Sequence, residues 1–240
     1  MAIHETRLLR REIVAQDTMA FYFSKPAGFQ HRAGQSLLMT LLNPPETDGE
    51  GNARTFTIAS APHESELMIA TRMRDTAFKR VLKTAPIGMM AQMDGPSGDM
   101  VLDDDTTRPA VFLAGGIGIT PFLAMVRHAA HERLPRRLYL FYSNRRPEDA
   151  AFLPELQMNE QCNPDYRLIA TMTNPEKSAR PWSGETGVIR QQMLERHLAG
   201  VPNPMYYFAW PPPMTAAMRQ LLENIGVSEQ AMRYEEFYGY

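Results

Sequence analysis

At 240 residues the chain has room for one large domain or two small ones. Its 44% hydrophobic and 22% charged residues describe a globular protein, and a formal net charge of −2 with no Lys/Arg-rich block gives no footing for nucleic-acid binding. The single cysteine, Cys162, excludes an internal disulfide, a cysteine-ligated iron–sulfur cluster and a structural Cys-type zinc site within this chain.

The N-terminal stretch MAIHETRLLRREIV lacks an apolar core of signal-peptide length, and no run approaches membrane-spanning length. The expectation is a cytoplasmic protein with no membrane contact. From Ile3 to about Leu102 the chain reads as short β-rich segments broken by turn residues. Residues 18–24 (TMAFYFS) and 36–42 (SLLMTLL) are β-prone, and 67–73 (LMIATRM) alternates apolar with polar or small residues. Residues 89–93 lead into Asp94-Gly95-Pro96-Ser97-Gly98, which reads as a turn. Short strands at such close spacing predict an antiparallel barrel or sandwich. One short helix is expected over 77–84, with Thr76 as its N-cap.

After Asp103-Asp104-Asp105 the period changes. An apolar run at 110–114 precedes a helix from Pro121 to about Arg133, and residues 137–142 precede a helix over 149–158. Residues 167–172 lead through a loop to a helix over 189–199, stopped by Gly200. Residues 205–209 precede a helix over 214–225, stopped by Gly226. Strand–helix alternation predicts a parallel sheet with helices on both faces, and ligands bind beyond the carboxyl ends of such strands. The expected organisation is two domains, 1–103 and 104–240.

Three segments carry candidate chemistry. In FLAGGIGITPFLAM (112–125), a buried strand stops at Gly115, Gly116 and Gly118, and Thr120 and Pro121 open a helix. Such a turn lets a phosphate-bearing ligand approach the backbone, where the first helical N–H groups favour an anion. It is neither G-x-G-x-x-G nor a P-loop, because Gly115 and Gly116 are adjacent and no Lys-Ser or Lys-Thr follows. In RTFTIAS (54–60), Arg54 can hold a phosphate through paired charge-assisted bonds, Phe56 offers a flat face and Thr57 a hydroxyl. In RDTAFKR (74–80), a helix capped by Thr76 aims the amides of Ala77, Phe78 and Lys79 at a common point. Taken singly, each also reads blandly: a tight packing turn, a solvent-facing strand, an amphipathic helix start. His128 and His131 lie three apart on a helix without a third ligand and read as surface residues, so no metal site is expected. Cys162 reads as an inert thiol.

In this order, with Ala33-Gly34-Gln35, Gly95-Pro96-Ser97-Gly98 and the terminal Glu236-Phe237-Tyr238-Gly239-Tyr240, the segments resemble the ferredoxin–NADP reductase superfamily of flavoproteins. The likeness is to its compact members without a fused iron–sulfur domain, and it covers essentially the whole length. It implies an N-terminal antiparallel, flavin-binding β-barrel followed by an α/β nucleotide-binding domain with a parallel sheet. It implies FAD, with FMN less favoured, and NADPH or NADH as electron donor. By the resemblance, Arg54 binds the flavin phosphates, with Thr55 beside it. Phe56, in place of the usual Tyr, packs on the flavin ring, and Thr57 lies near flavin N5. Thr71 and Arg72 flank the flavin, and Thr76, Ala77, Phe78 and Lys79 meet its pyrophosphate. Gly115, Gly116, Gly118 and Thr120 form the nicotinamide-dinucleotide site, and Pro211 belongs to a second loop there. Ser143 and Arg145, at the end of the second parallel strand, lie where the adenosine ribose or its 2′-phosphate binds, which leans the choice slightly to NADPH.

The implied reaction is hydride transfer from nicotinamide to flavin, with Thr57, Thr120 and Glu236 as catalytic candidates and Tyr240 or Tyr238 covering the flavin. Electrons then pass to a separate acceptor: a ferredoxin- or flavodoxin-like carrier, an oxygenase component or a small molecule. The alternative is a non-catalytic flavin- or nucleotide-binding subunit of the same fold. One departure keeps it open. Where the family carries Cys/Ala-Gly-Pro-Pro-x-Met, this chain has Ala209-Trp210-Pro211-Pro212-Pro213-Met214. An indole in place of glycine either narrows the dinucleotide cleft or packs outward.

Overall fold

The computed structural model describes residues 3–236. The N-terminal half is a six-stranded antiparallel sheet in the order β4-β3-β6-β1-β2-β5. Its strands are β1 (Ile3–Ala15), β2 (Thr18–Ser24), β3 (Ser36–Leu41), β4 (Ala53–Thr57), β5 (Glu66–Arg72) and β6 (Met90–Ser97). The long β1 joins two partners: Ile3 to Arg7 pairs with β6, and Leu8 to Ala15 with β2. The sheet curls until its two edges meet just past β4, where Ala59 N donates to Met68 O at 2.7 Å. Met68 N then donates to Ser60 Oγ at 3.0 Å. This is the expected barrel-like half. Phe21, Phe23, Leu37, Met39 and Ile69 fill it.

Helix α1 (Ala77–Thr84) closes the barrel. Phe78, Val81 and Leu82 stand at helical spacing on one face and enter the barrel core. Thr76 caps it as the sequence predicts, its Oγ1 accepting from Lys79 N at 3.4 Å. One expectation fails. Residues 94–97 do not turn but continue β6, because Gly95 (φ +153) lets the strand pass against Leu37 at a break in the β3–β6 register.

The C-terminal half is a parallel sheet in the order β10-β9-β8-β7-β11-β12. It comprises β7 (Ala110–Gly115), β8 (Leu138–Asn144), β9 (Tyr166–Met172), β10 (Glu185–Thr186), β11 (Met205–Trp210) and β12 (Met232–Glu236). Helices α2 (Thr120–Glu132) and α3 (Leu153–Cys162) cover one face; α4 (Gln191–Leu198) and α5 (Pro212–Asn224) cover the other. The strands are apolar on both sides, as burial between two helical layers requires. The helix expected from residue 149 starts at Leu153, because a 3-10 turn over Pro147–Asp149 intervenes. The sequence reading missed β10, which is only two residues long. No described helix is long and apolar enough to cross a membrane.

The halves share one apolar core. Tyr22, Ala59, Met68 and Ala70 of the barrel pack with Phe122 and Met125 of α2. Around it run polar ties: Arg127 joins Glu155 (2.6 Å) and Glu64 (3.4 Å), and Arg146 joins Gln16 (3.0 Å). The connecting segment is clamped as well. Asp103 N donates to the Tyr207 hydroxyl at 2.9 Å, and Arg233 reaches Asp103 at 2.8 Å and Val101 O at 2.9 Å. His131 is exposed, as expected, and His128 is only partly so. His131 stacks on His63 across the junction with ring centroids 3.6 Å apart.

Candidate functional site

The sheet places a crevice where its strand order reverses. From β7 the chain runs outward through β8, β9 and β10, then returns to the other side of β7 as β11. Open α/β sheets bind ligands at such a point, beyond the strand ends. The glycine turn lies there, as a 3-10 turn over Gly116–Ile119 leading directly into α2. Two glycines are dictated by geometry. Gly116 has φ +52, and a Cβ on Gly118 would stand 2.4 Å from Ala209 O of β11. The Tyr142 hydroxyl donates to Gly116 O at 3.1 Å and Thr120 Oγ1 to Ile117 O at 3.2 Å, so the turn is held from two sides.

Trp210 faces inward. It ends β11 on the face that carries Leu113, Phe208 and Met218, and its indole covers Gly115. A Cβ on Gly115 would lie 2.5 Å from Trp210 Nε1. The ring is 4% exposed, and Nε1 has no hydrogen-bond partner among the described residues. The crevice between β7 and β11 is thus floored by an indole. Pro211 follows as the N-cap of α5, and Thr215 Oγ1 ties that helix to Trp210 O at 2.9 Å.

The barrel brings its own candidates to this end. The glycine turn packs against β5, which carries Thr71 and Arg72, and β5 approaches β4 at the closure of the barrel. Strand alternation puts Arg54 and Phe56 on one face of β4 and Thr55 and Thr57 on the other. The Arg54 guanidinium lies over Phe78 at 5.4 Å, and Phe56 packs on Phe78 at 5.7 Å. Lys79 Nζ donates to Arg72 O at 2.8 Å. Burial, then the charges of Arg74 and Arg54, hold the Lys79 ammonium below its usual range. Arg54, Phe56, Arg72, Ala77, Phe78 and Lys79 are therefore one cluster. Thr57 is 9% exposed on the opposite face, paired with Ser36 of β3.

Two residues missed by sequence reasoning join the site. Asp48, from the loop between β3 and β4, accepts from Ala77 N at the start of α1 (2.9 Å) and pairs with Arg54 (3.2 Å). That carboxylate lies below its usual range, chiefly through the Ala77 bond. Glu235 of β12 is the second. Its Oε1 lies 3.3 Å from where a Cβ on Gly98 would stand, and Ser36 Oγ lies 3.5 Å from the same point. Burial raises its pKa, opposed by a hydrogen bond from the Met100 backbone. Glu236, the sequence candidate, is exposed and in register with Trp210. Only the β12 register, which alternates sides residue by residue, separates the two.

On the far side, Ser143 and Arg145 fall at the end of β8. Arg146 is engaged by Asp149 at 2.8 Å, whereas the exposed Arg145 side chain carries no ion pair among the described residues. Tyr240 and Tyr238 lie outside the described residues.

Residues 112–220 match the oxidoreductase NAD-binding domain family. The chain is 28% identical over 225 residues to the glycine betaine monooxygenase reductase subunit of Chromohalobacter salexigens, covering 92% of this chain and 60% of that protein. It is 29% identical over 187 residues to NADH-cytochrome b5 reductase 1 of Aspergillus fumigatus, covering 73% and 59%. The chain thus spans about three fifths of the length of these curated relatives. Among solved structures, a ferredoxin NADP+ reductase from Neisseria gonorrhoeae with bound FAD and NADP superposes with a TM-score of 0.79 at 19% identity, covering 98% of each chain. The antiparallel barrel followed by a parallel sheet is the fold of that FAD- and NADP-bound reductase, and residues 112–220, which include the glycine turn between β7 and α2, carry the match to the NAD-binding domain family.

Proposed function

We propose that this protein is an NAD(P)H-dependent flavin oxidoreductase that passes electrons to a separate redox protein. The observation that carries the reading is convergence: the Arg54 cluster, β5 and the glycine turn meet at one end of the junction between barrel and sheet. Residues 1–103 would hold FAD and residues 104–240 the nicotinamide nucleotide. Bound FAD would supply the two-electron acceptor for a nicotinamide and the one-electron donor for the partner.

The protein's own part is to bind and orient. Arg54 and the amides of Ala77, Phe78 and Lys79 take the phosphates, while Phe56 and the Thr71–Arg72 backbone hold the ring. Thr57 offers its hydroxyl near N5. The turn at Gly115, Gly116 and Gly118 receives the second pyrophosphate, with Thr120 and Pro211 placing the nicotinamide. Ser143 and Arg145 take the adenosine ribose, and Arg145, whose side chain carries no ion pair among the described residues, favours NADPH. Glu235, behind Ser36 and opposite Thr57, is the carboxylate able to hold a proton close to the flavin; exposed Glu236 ranks second.

The relatives named as a monooxygenase reductase subunit and as an NADH-cytochrome b5 reductase support an acceptor that is a redox protein. The test is anaerobic reduction of the FAD-loaded protein by NADPH and NADH in parallel, followed by an acceptor screen. Bleaching of the flavin absorbance is expected. Failure to take up FAD, or flavin that neither nucleotide reduces, would overturn the reading. The indole over Gly115 favours a second reading, a flavin-binding subunit without turnover, which predicts uptake without bleaching.

A further inference from the structure

The phosphate cradle of the barrel already holds an anion, and that anion belongs to the chain. Asp48 lies in the loop joining β3 to β4. Its Oδ2 accepts from Ala77 N at 2.9 Å, and its Oδ1 accepts from Arg54 Nη2 at 3.2 Å and from Glu50 N at 3.0 Å. A helix-start N–H and a guanidinium are the two kinds of donor that grip a phosphate oxygen. The loop is fastened a second time by Glu46, which pairs with Arg80 of α1 at 2.6 Å. Arg54 is further occupied by Glu50 at 2.9 Å and by the backbone carbonyls of Glu50, Gly51 and Ala53, which leaves its side chain 19% exposed.

We propose that Asp48 is an internal competitor of the flavin phosphate, seated on the donors the phosphate needs, and that it sets how tightly the protein holds its flavin. This rests on the assignment of Arg54 and the α1 amides as the flavin phosphate site. The two occupants exclude each other, since both require Ala77 N and the inner edge of Arg54. FAD enters by displacing the carboxylate, and the loop carrying Asp48 moves out with it. The flavin is accordingly an exchangeable ligand, bound more weakly than the same cradle would hold it without Asp48.

The experiment is equilibrium titration of the full-length apoprotein with FAD and with riboflavin, followed by flavin fluorescence. The variants are Asp48→Asn, Glu46→Gln and Arg54→Ala. Asp48→Asn removes the competing charge, so its Kd for FAD should fall by about fivefold or more, the scale of one charge-assisted hydrogen bond. Riboflavin, which has no phosphate, should bind Asp48→Asn as it binds the parent. Glu46→Gln removes an equal charge from the same loop without touching the cradle and should leave FAD affinity within about twofold. Unchanged or weaker FAD binding by Asp48→Asn would overturn the proposal. So would an equal gain for riboflavin, or a gain in Glu46→Gln matching that of Asp48→Asn, since both would reduce the effect to loop charge. Arg54→Ala tests the underlying site separately. It should weaken FAD binding, and parent-like binding would remove the cradle and the proposal with it.

Discussion

Arg145 and Gly34 show how a single residue can be read for opposite reasons. Arg145 is informative because its side chain carries no ion pair among the described residues: its neighbour Arg146 is engaged by Asp149, while Arg145 stands exposed at the strand end nearest the proposed ribose. Arg145→Ala should raise the KM for NADPH by about tenfold, the scale of one charge-assisted contact, and leave that for NADH nearly unchanged. Steady-state kinetics with both donors check this; parallel changes would place Arg145 away from the 2′-phosphate. Gly34 is informative because it has no freedom. Its φ is +100, and a Cβ would lie 2.0 Å from Met100 O and 2.5 Å from the Met125 methyl. Gly34→Ala combines backbone strain with a clash against both halves and should cost at least about 3 kcal/mol. Thermal unfolding should then shift down by on the order of 10 °C. The Ala-Gly-Gln motif marked this glycine, but only the fold explains it as the contact between the barrel and α2.

At the scale of elements, local rules were reliable where they were self-contained. The α1 helix keeps its predicted bounds because its N-cap and its apolar spacing are both local. The turn read at residues 94–98 was wrong because Gly-Pro chemistry there serves a strand irregularity imposed by β3 across the sheet. The glycine turn was legible as a strand-to-helix turn, yet the indole packed over it comes from far along the chain in β11. Trp210→Gly should lower the KM for the nicotinamide nucleotide by about fivefold by opening the crevice. Its thermal midpoint should fall at the same time, because a buried indole is lost from the core. Trp210→Phe keeps most of the packing and should show little of either effect. An unchanged KM in Trp210→Gly would show that the nucleotide path avoids the indole.

For the molecule as a whole, acid sensitivity is concentrated in His31, the one buried histidine among the described residues. Burial, with help from the charges of Lys25 and His128, pushes the His31 pKa down to about 4. Burial also lowers His63 and His128, and His63 is lowered further by its stacked neighbour His131. An unfolded histidine takes up its proton near pH 6.5, whereas the folded His31 resists until about 4. Across that window the unfolded chain binds more protons, so the stabilisation is complete above pH 6.5 and is lost as pH falls. The loss from His31 alone is about 2–3 kcal/mol. Thermal midpoints measured from pH 7.5 to 4.5 should fall steadily, and His31→Gln should flatten the profile. A parent-like slope in His31→Gln would assign the acid loss elsewhere. His63, Glu64 and Arg127 lie on the junction, so the same titration loosens the contact between the halves.

Order along the chain determined the two architectures, the antiparallel barrel and the parallel sheet, and the position of the glycine turn between β7 and α2. Strand alternation, helical spacing, capping and glycine turns are short-range codes that need no partner to be read. What only tertiary structure decided is which side chains share those motifs. Asp48 lies on the Ala77 amide at the start of α1 because barrel closure carries the β3–β4 loop onto it. Glu235, rather than Glu236, lies against Gly98 because β12 pairs with β11 in one register and not the next. Trp210 covers Gly115 because β11 returns beside β7 at the reversal of strand order. Each is a contact between segments distant in sequence, created by sheet pairing, and such pairings leave no periodic trace in either segment.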